Sequence, residues 1–173
     1  MAKEIKRVGR LSLIDSRPDD PYEIAPYLRF QDKRECLIFG LEPIEALSEP
    51  LSIKGAKTYT IRYDENCIAM CGTVPIDEET ARVWMLGTGA INSNFRPFLR
   101  GCKEVIQILQ GDYEMVENFV PVDHHETIMW LSWCGFVFDE LMHEVNGHTM
   151  MRFVRCINRK NNVYYLQQRP VMH

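Results

Sequence analysis

The chain has 173 residues, of which 46% are hydrophobic and 25% charged, with a formal charge of −4. That length and balance fit one globular domain that buries its core without disulfides or metal, and they exclude a disordered chain. The negative charge argues against non-specific nucleic-acid binding, which needs a basic surface, and no apolar run reaches the ~20 residues of a membrane-crossing helix.

The first ten residues are basic and polar and read as loosely held. No apolar stretch follows their charges, so no secretory signal is expected. Leu11-Ser12-Leu13-Ile14 reads as a strand ending in the turn Asp15-Ser16-Arg17-Pro18. Asp19-Asp20-Pro21 is a helix-start signature, with Pro26 confined to the first turn or to a kink. A second helix spans about Asp32 to Phe39 and stops at Gly40. Pro43 opens a third, with Ile44, Leu47 and Leu51 on its buried side.

The middle reads as a meander of strands at 58–63, 67–74 and 80–88, because β-branched and aromatic residues alternate there with turn residues. The period then changes. Phe95, Phe98, Leu99, Cys102, Val105, Ile106 and Leu109 fall on one helical stripe, with Ser93 or Asn94 as cap and Gly111 as stop. Residues 115–120 read as a strand and 123–133 as a helix ended by Gly135. Strands at 136–144 and 149–157 flank Asn146-Gly147, a hairpin signal. The order implies a layered α/β (α+β) domain over 1–157, with a mixed, largely antiparallel sheet, followed by a C-terminal extension, 158–173. The inward phase predicts burial of Ile61, Ala69, Met85, Phe98, Leu99, Val105, Ile106, Ile128, Leu131, Phe136 and Phe153.

Two segments carry candidate chemistry. From Trp84 to Arg96 a strand enters a glycine-containing loop and then a long helix. Free N–H groups at such a helix start attract a pyrophosphate, and Arg96, Arg100 and Lys103 add charge. The plainer reading is a strand-to-helix turn whose glycines serve the backbone. The second segment is His124-His125-Glu126 at a helix start, where a histidine can exchange protons or serve structure. Trp130 and Trp133 on that helix are large enough to require packing or a ligand. Cys134, next to the helix-ending glycine, reads as a packing residue. Six cysteines stand without a Cys-x-x-Cys pair and read as reduced thiols of an intracellular protein. Cys67 and Cys71 with His124 and His125 match no usual zinc spacing, so no metal is expected.

The element order from residue 11 to 157 resembles the GNAT (N-acetyltransferase-like) superfamily. Closer still is the internal virion protein A family of tailed phages, on Leu28-Arg29-x-x-Asp32-x-x-Glu35-x-x-x-x-Gly40, Pro43-x-Glu45-Ala46-Leu47, Trp84-x-Leu86-Gly87-Thr88 and Thr127-Ile128-x-Trp130-Leu131-x-x-x-Gly135-Phe136. The resemblance implies that strands 80–88 and 115–120 are parallel neighbours that splay at their C-terminal ends. It implies acetyl-CoA as the bound cofactor, held by Leu86, Gly87, Thr88, Ser93, Asn94, Phe95, Arg96 and Arg100. His124 and Ser132 are then the candidates for proton transfer to the leaving thiolate.

The chain departs from the superfamily in four places, one being that no carboxylate stands within the strand Trp84 to Thr88. Asn92 to Pro97 replaces the usual glycine-rich phosphate loop, Leu131 stands in the register of the usual tyrosine, and His124 replaces an asparagine. Two functions follow, with a host-takeover factor that binds a bacterial protein as a third option. One is a phage protein of virion assembly or the internal virion core with a degenerate acyltransferase site. It would act in the host cytoplasm or the virion with phage or host proteins as partners. The other is an acetyl-CoA-dependent N-acetyltransferase modifying a host or phage amine. The extension 158–173, rich in aromatic and arginine residues, is expected either to contact a partner or to cover the domain's own sheet edge.

Overall fold

In the computed structural model, which describes residues 1–157, Gly9 at φ 61° reverses the chain within a two-residue turn. Glu4–Val8 (β1) therefore pairs antiparallel with Leu11–Asp15 (β2). The expectation that the first ten residues are loosely held is overturned. β1 covers the edge of β2, Ile5 packs against the main core, and Lys6 pairs with Glu104 on the long helix. Its charged residues hide a strand whose role is to protect an edge. The extension 158–173 lies outside the described residues.

Asp20–Ile24 (α1) starts with Pro21 in its first turn, and Pro26 falls in a separate 3-10 turn, Ala25–Tyr27. Phe30–Ile38 (α2) ends before Gly40, which has φ 74°. Pro43–Ser48 (α3) carries a full capping box between Glu42 and Glu45. Its C-terminus passes into the 3-10 turn Glu49–Ser52, where Leu51 is exposed rather than buried. The meander is Lys57–Tyr63 (β3), Asn66–Pro75 (β4) and Thr80–Gly87 (β5). A short helix, Ala90–Ser93 (α4), precedes the long one, Phe95–Gln110 (α5). Met115–Pro121 (β6), His125–Trp133 (α6), Val137–Val145 (β7) and His148–Cys156 (β8) complete the order. Asn146 and Gly147, both at positive φ, turn the last hairpin as their sequence demands.

One mixed sheet runs in the order β1-β2-β3-β4-β5-β6-β8-β7. Every pairing is antiparallel except β5 with β6, which α5 links as the crossover that a parallel pair requires. Those two strands pair only at Thr80–Met115, Ala81–Val116 and Arg82–Glu117, then separate. The expected parallel neighbours that splay are therefore present.

Alternation along β4 separates the two faces. Met70 joins Ile24, Leu28, Cys36, Leu47 and Leu86 under α1, α2 and α3. Ala69 and Cys71 face the other way, into the larger core with Phe98, Cys102, Ile106 and Leu109 of α5 and Leu131 of α6. There the rings of Phe98 and Trp130 stack with centroids 6.0 Å apart. Of the predicted core, Ile61, Ala69, Phe98, Ile106, Leu131, Phe136 and Phe153 are buried, while Met85, Leu99, Val105 and Ile128 are half-buried. All six cysteines are free thiols. No described helix is long and apolar enough to cross a membrane.

Ile106 is 5% exposed and faces the sheet. Ile106→Ala should cost about 2–5 kcal/mol. Urea unfolding checks this, and a loss below about 0.5 kcal/mol would mean that α5 does not seat this face on the sheet.

Candidate functional site

Where β5 and β6 separate, the polar groups of both strands lose their pairing, and the chain must satisfy them in another way. Thr88 N–H donates to Ile68 O, toward β4. By alternation Val83, Met85 and Gly87 point their N–H and C=O groups away from β4, toward the gap. Asn118 of β6 reaches across to Val83, its Nδ2 donating to the Val83 carbonyl at 2.7 Å. Its Oδ1 accepts the N–H of Phe119 at 2.8 Å.

Two residues beyond Met85, a second closure comes from α2 and its approach. Arg29 N–H donates to the Gly87 carbonyl at 3.0 Å, and Leu28 bridges to Thr88. Gly87 N–H donates to Asp32 Oδ2 at 2.9 Å. The Arg29 guanidinium grips that same carboxylate with Nε at 2.9 Å from Oδ2 and Nη2 at 3.2 Å from Oδ1. Such a two-pronged pair fixes direction as well as charge. Between the two closures, Met85 presents its backbone N–H and C=O to the gap. Neither has a partner among the described residues.

A cleft of about 1000 Å3 occupies this gap and reaches both faces of the sheet. On the α2 side its walls include Glu35, Cys36, Phe39, Leu41, Pro50 and Trp84. On the α5 and α6 side they include Ile91, Phe95, Leu99, Met129 and Trp130. The indole N–H groups of Trp84 and Trp130 are buried without a partner among the described residues. Glu35 is half-buried. Burial first, and then the negative charge of Asp32, push its carboxyl up to about 8, against the pull of Arg29.

The residues expected to hold a cofactor are partly brought together. Leu86 and Phe95 line the cleft, while Gly87 and Thr88 are not among its lining residues and are hydrogen-bonded to Arg29 and Ile68. Thr88 uses its hydroxyl to donate to Ile68 O and accept Ala90 N–H. The loop itself is wound into α4. Ile91 N–H donates to Thr88 O, Asn92 N–H to Gly89 O, and Asn94 N–H to the carbonyls of Ala90 and Ile91. Asn94 sits at the N-cap of α5, but its side chain donates back to Ala90 O instead of capping. Within Ser93–Arg96, the N–H groups of Phe95 and Arg96 fall in the first turn of α5, where a helix leaves donors unpaired. The side chains of Ser93, Arg96 and Arg100 are exposed around that end.

His124 and Ser132 stand at opposite ends of α6, about 12 Å apart at 1.5 Å per residue. His124 is buried, its Nε2 3.4 Å from Nη1 of Arg34, which in turn holds Asp123 at 2.9 Å. Burial, then Arg34, holds its pKa below the ordinary value despite Asp123. Ser132 is exposed, and neither residue lines the cleft. Cys134 is buried, as its place before Gly135 leads one to expect. The one cluster of metal-ligand types among the described residues is Asp20, Glu23 and Cys67. Its Asp20 is already bonded to Arg17 and to the Thr60 hydroxyl.

A carboxyl raised to about 8 holds its proton more tightly folded than unfolded. Its contribution to stability is complete below the ordinary glutamate value of about 4.3 and is lost as pH rises through the raised one. Thermal melts between about pH 5 and about pH 9 should show wild type losing stability relative to Glu35→Gln as pH rises. Parallel curves would mean that Glu35 titrates normally.

No protein-family model and no curated protein matches the chain. Solved structures do. RimL, a ribosomal L7/L12 alpha-N-protein acetyltransferase in complex with coenzyme A, superposes with TM-score 0.65 at 14% identity, covering 90% of this chain and 98% of that one. A mutant of the SpeG spermidine N-acetyltransferase from Vibrio cholerae gives TM-score 0.62 at 12% identity, over 88% of this chain and 99% of that one. A GCN5-related N-acetyltransferase from Kribbella flavida gives 0.63 at 15%, over 86% and 98%. The splayed parallel pair, the crossover helix and these superpositions agree: the chain has the GNAT fold.

Proposed function

We propose that the chain is an acetyl-CoA-dependent N-acyltransferase working at the gap between β5 and β6. The observation that carries this reading is the Met85 backbone. It offers a fixed donor inside a cleft, and the strand positions on either side of it are already closed by Asn118 and by Asp32 with Arg29. The fold supports the same reading, because a protein of this fold, RimL, holds coenzyme A.

Acetyl-CoA, when bound, supplies an activated acetyl thioester. Met85 N–H would donate to the carbonyl oxygen on which negative charge grows, a rigid donor that needs no reorganisation. At the start of α5, the N–H groups of Phe95 and Arg96 and the charges of Arg96 and Arg100 would hold the pyrophosphate. Winding Ala90–Ser93 into a helix spends the N–H groups that a looser loop offers, so the arginines carry more of that task here. Leu86, Gly87 and Thr88 would shape the wall along the donor. Neither His124 nor Ser132 lines the cleft, so neither is assigned the leaving thiolate's proton, and catalysis rests mainly on positioning. A role in virion assembly is carried by the sequence motifs alone, with no structural observation favouring it.

Calorimetric titration with acetyl-CoA tests the reading. Binding is expected, and Arg96→Ala should weaken it by about tenfold for one lost charged hydrogen bond. No heat and no rise in melting temperature at millimolar acetyl-CoA would refute the proposal, since a ligand at about a hundredfold over its Kd stabilises a fold by ~2.7 kcal/mol.

A further inference from the structure

Resting on the transferase reading, we propose that the acceptor is a primary ammonium on an apolar stem, and that Glu35 receives the ammonium. Glu35 lies on the α2 wall of the cleft, one helical turn beyond Asp32. Its carboxylate has no hydrogen bond or ion pair among the described residues. The cation that acts on it electrostatically, Arg29, is committed to Asp32 through two hydrogen bonds. The other charged residues lining the cleft are Lys6, Glu49, Arg82 and Glu126, and Lys6 is paired with Glu104.

A half-buried carboxylate without a partner is costly to ionise, and a bound cation removes that cost. An anionic acceptor would meet Glu35 and Glu49 as like charges. Phe39, Leu41, Pro50 and Trp84 give the same wall an apolar surface suited to methylenes. Asp32 cannot take this role, because both of its oxygens are held by Arg29 and one also by Gly87 N–H.

The Glu35 carboxylate takes one proton from the ammonium, leaving a neutral amine and a carboxylic acid. The amine lone pair forms the C–N bond at the thioester carbonyl while the C–S bond breaks. The departing sulfur takes a second proton from nitrogen, one hydrogen stays on the amide, and Glu35 returns its proton to solvent. The products are an N-acyl amine, the free thiol of coenzyme A and one proton.

The test is calorimetric titration of the full chain with n-hexylamine in the absence of donor, beside hexan-1-ol and hexanoate. The wild type should bind hexylammonium, hexanol should bind at least about tenfold more weakly, and hexanoate should not bind. Glu35→Gln should weaken hexylammonium at least about tenfold while leaving acetyl-CoA affinity unchanged. Equal affinity of the variant for hexylamine overturns the proposal, as does equal binding of hexanol and hexylamine by wild type, a comparison that needs no variant. Hexylamine binding with no acetyl-CoA binding supports the ammonium site and refutes the donor reading. Acetyl-CoA binding with no hexylamine binding does the reverse.

Discussion

Backbone hydrogen bonding where β5 leaves β6 is the constraint on which the rest of the structure depends. A sheet that splits exposes two rows of donors and acceptors, and an unpaired row inside a protein costs free energy at every position. Asn118 ends the separation at its narrow end by reaching Val83. Asp32 and the Arg29 N–H end it at the wide end on Gly87. The wedge stays open between them only at Met85. A sheet that zipped fully would leave no cleft, and one without these closures would carry a long unsatisfied edge.

The same closures place the helices. Arg29 and Asp32 hold the start of α2 against the end of β5, and Asn146 of the last hairpin donates to Ile38 O at the other end of α2. α2 thus spans the wedge from β5 to the hairpin, and Glu35 falls within the cleft. On the opposite face α4 approaches β5 so closely that a Cβ at Gly87 would lie 2.1 Å from Cδ1 of Ile91. Gly87 therefore serves packing as well as the closure with Asp32. Electrostatics follows from geometry: the Arg29–Asp32 pair is consumed in holding the edge, which leaves Glu35 without an ion-pair partner among the described residues.

Much of the fold was legible in the sequence because its signals are local. The stripe from Phe98 to Leu109 gives α5, and Asn146-Gly147 gives the last hairpin. The splay between β5 and β6 was implied by the resemblance and not by any residue pattern. Local signals also failed in identifiable ways. Charged residues in Glu4–Val8 masked β1, because an edge strand can face water on most of its positions. Ala90–Ser93 has no periodicity to announce a helix, so the expected phosphate loop turned out to be wound. The site's polar closures were out of reach for a different reason. Asp32 and Gly87 are 55 residues apart, and Asn118 and Val83 are 35 apart. The one available hint was an asparagine in the middle of a strand, a residue type that strands disfavour. The Arg29-x-x-Asp32 spacing was visible as a helical ion pair, but nothing in it points to a strand edge.

Met85 is the open position between two closed ones, and amide hydrogen exchange reads that directly. In the free protein, Gly87 N–H should be strongly protected by Asp32, and Met85 N–H should exchange much faster than its neighbours on β5. Addition of acetyl-CoA should slow Met85 selectively. A Met85 amide already as protected as that of Gly87 in the free protein, or one unmoved by saturating acetyl-CoA, would contradict that.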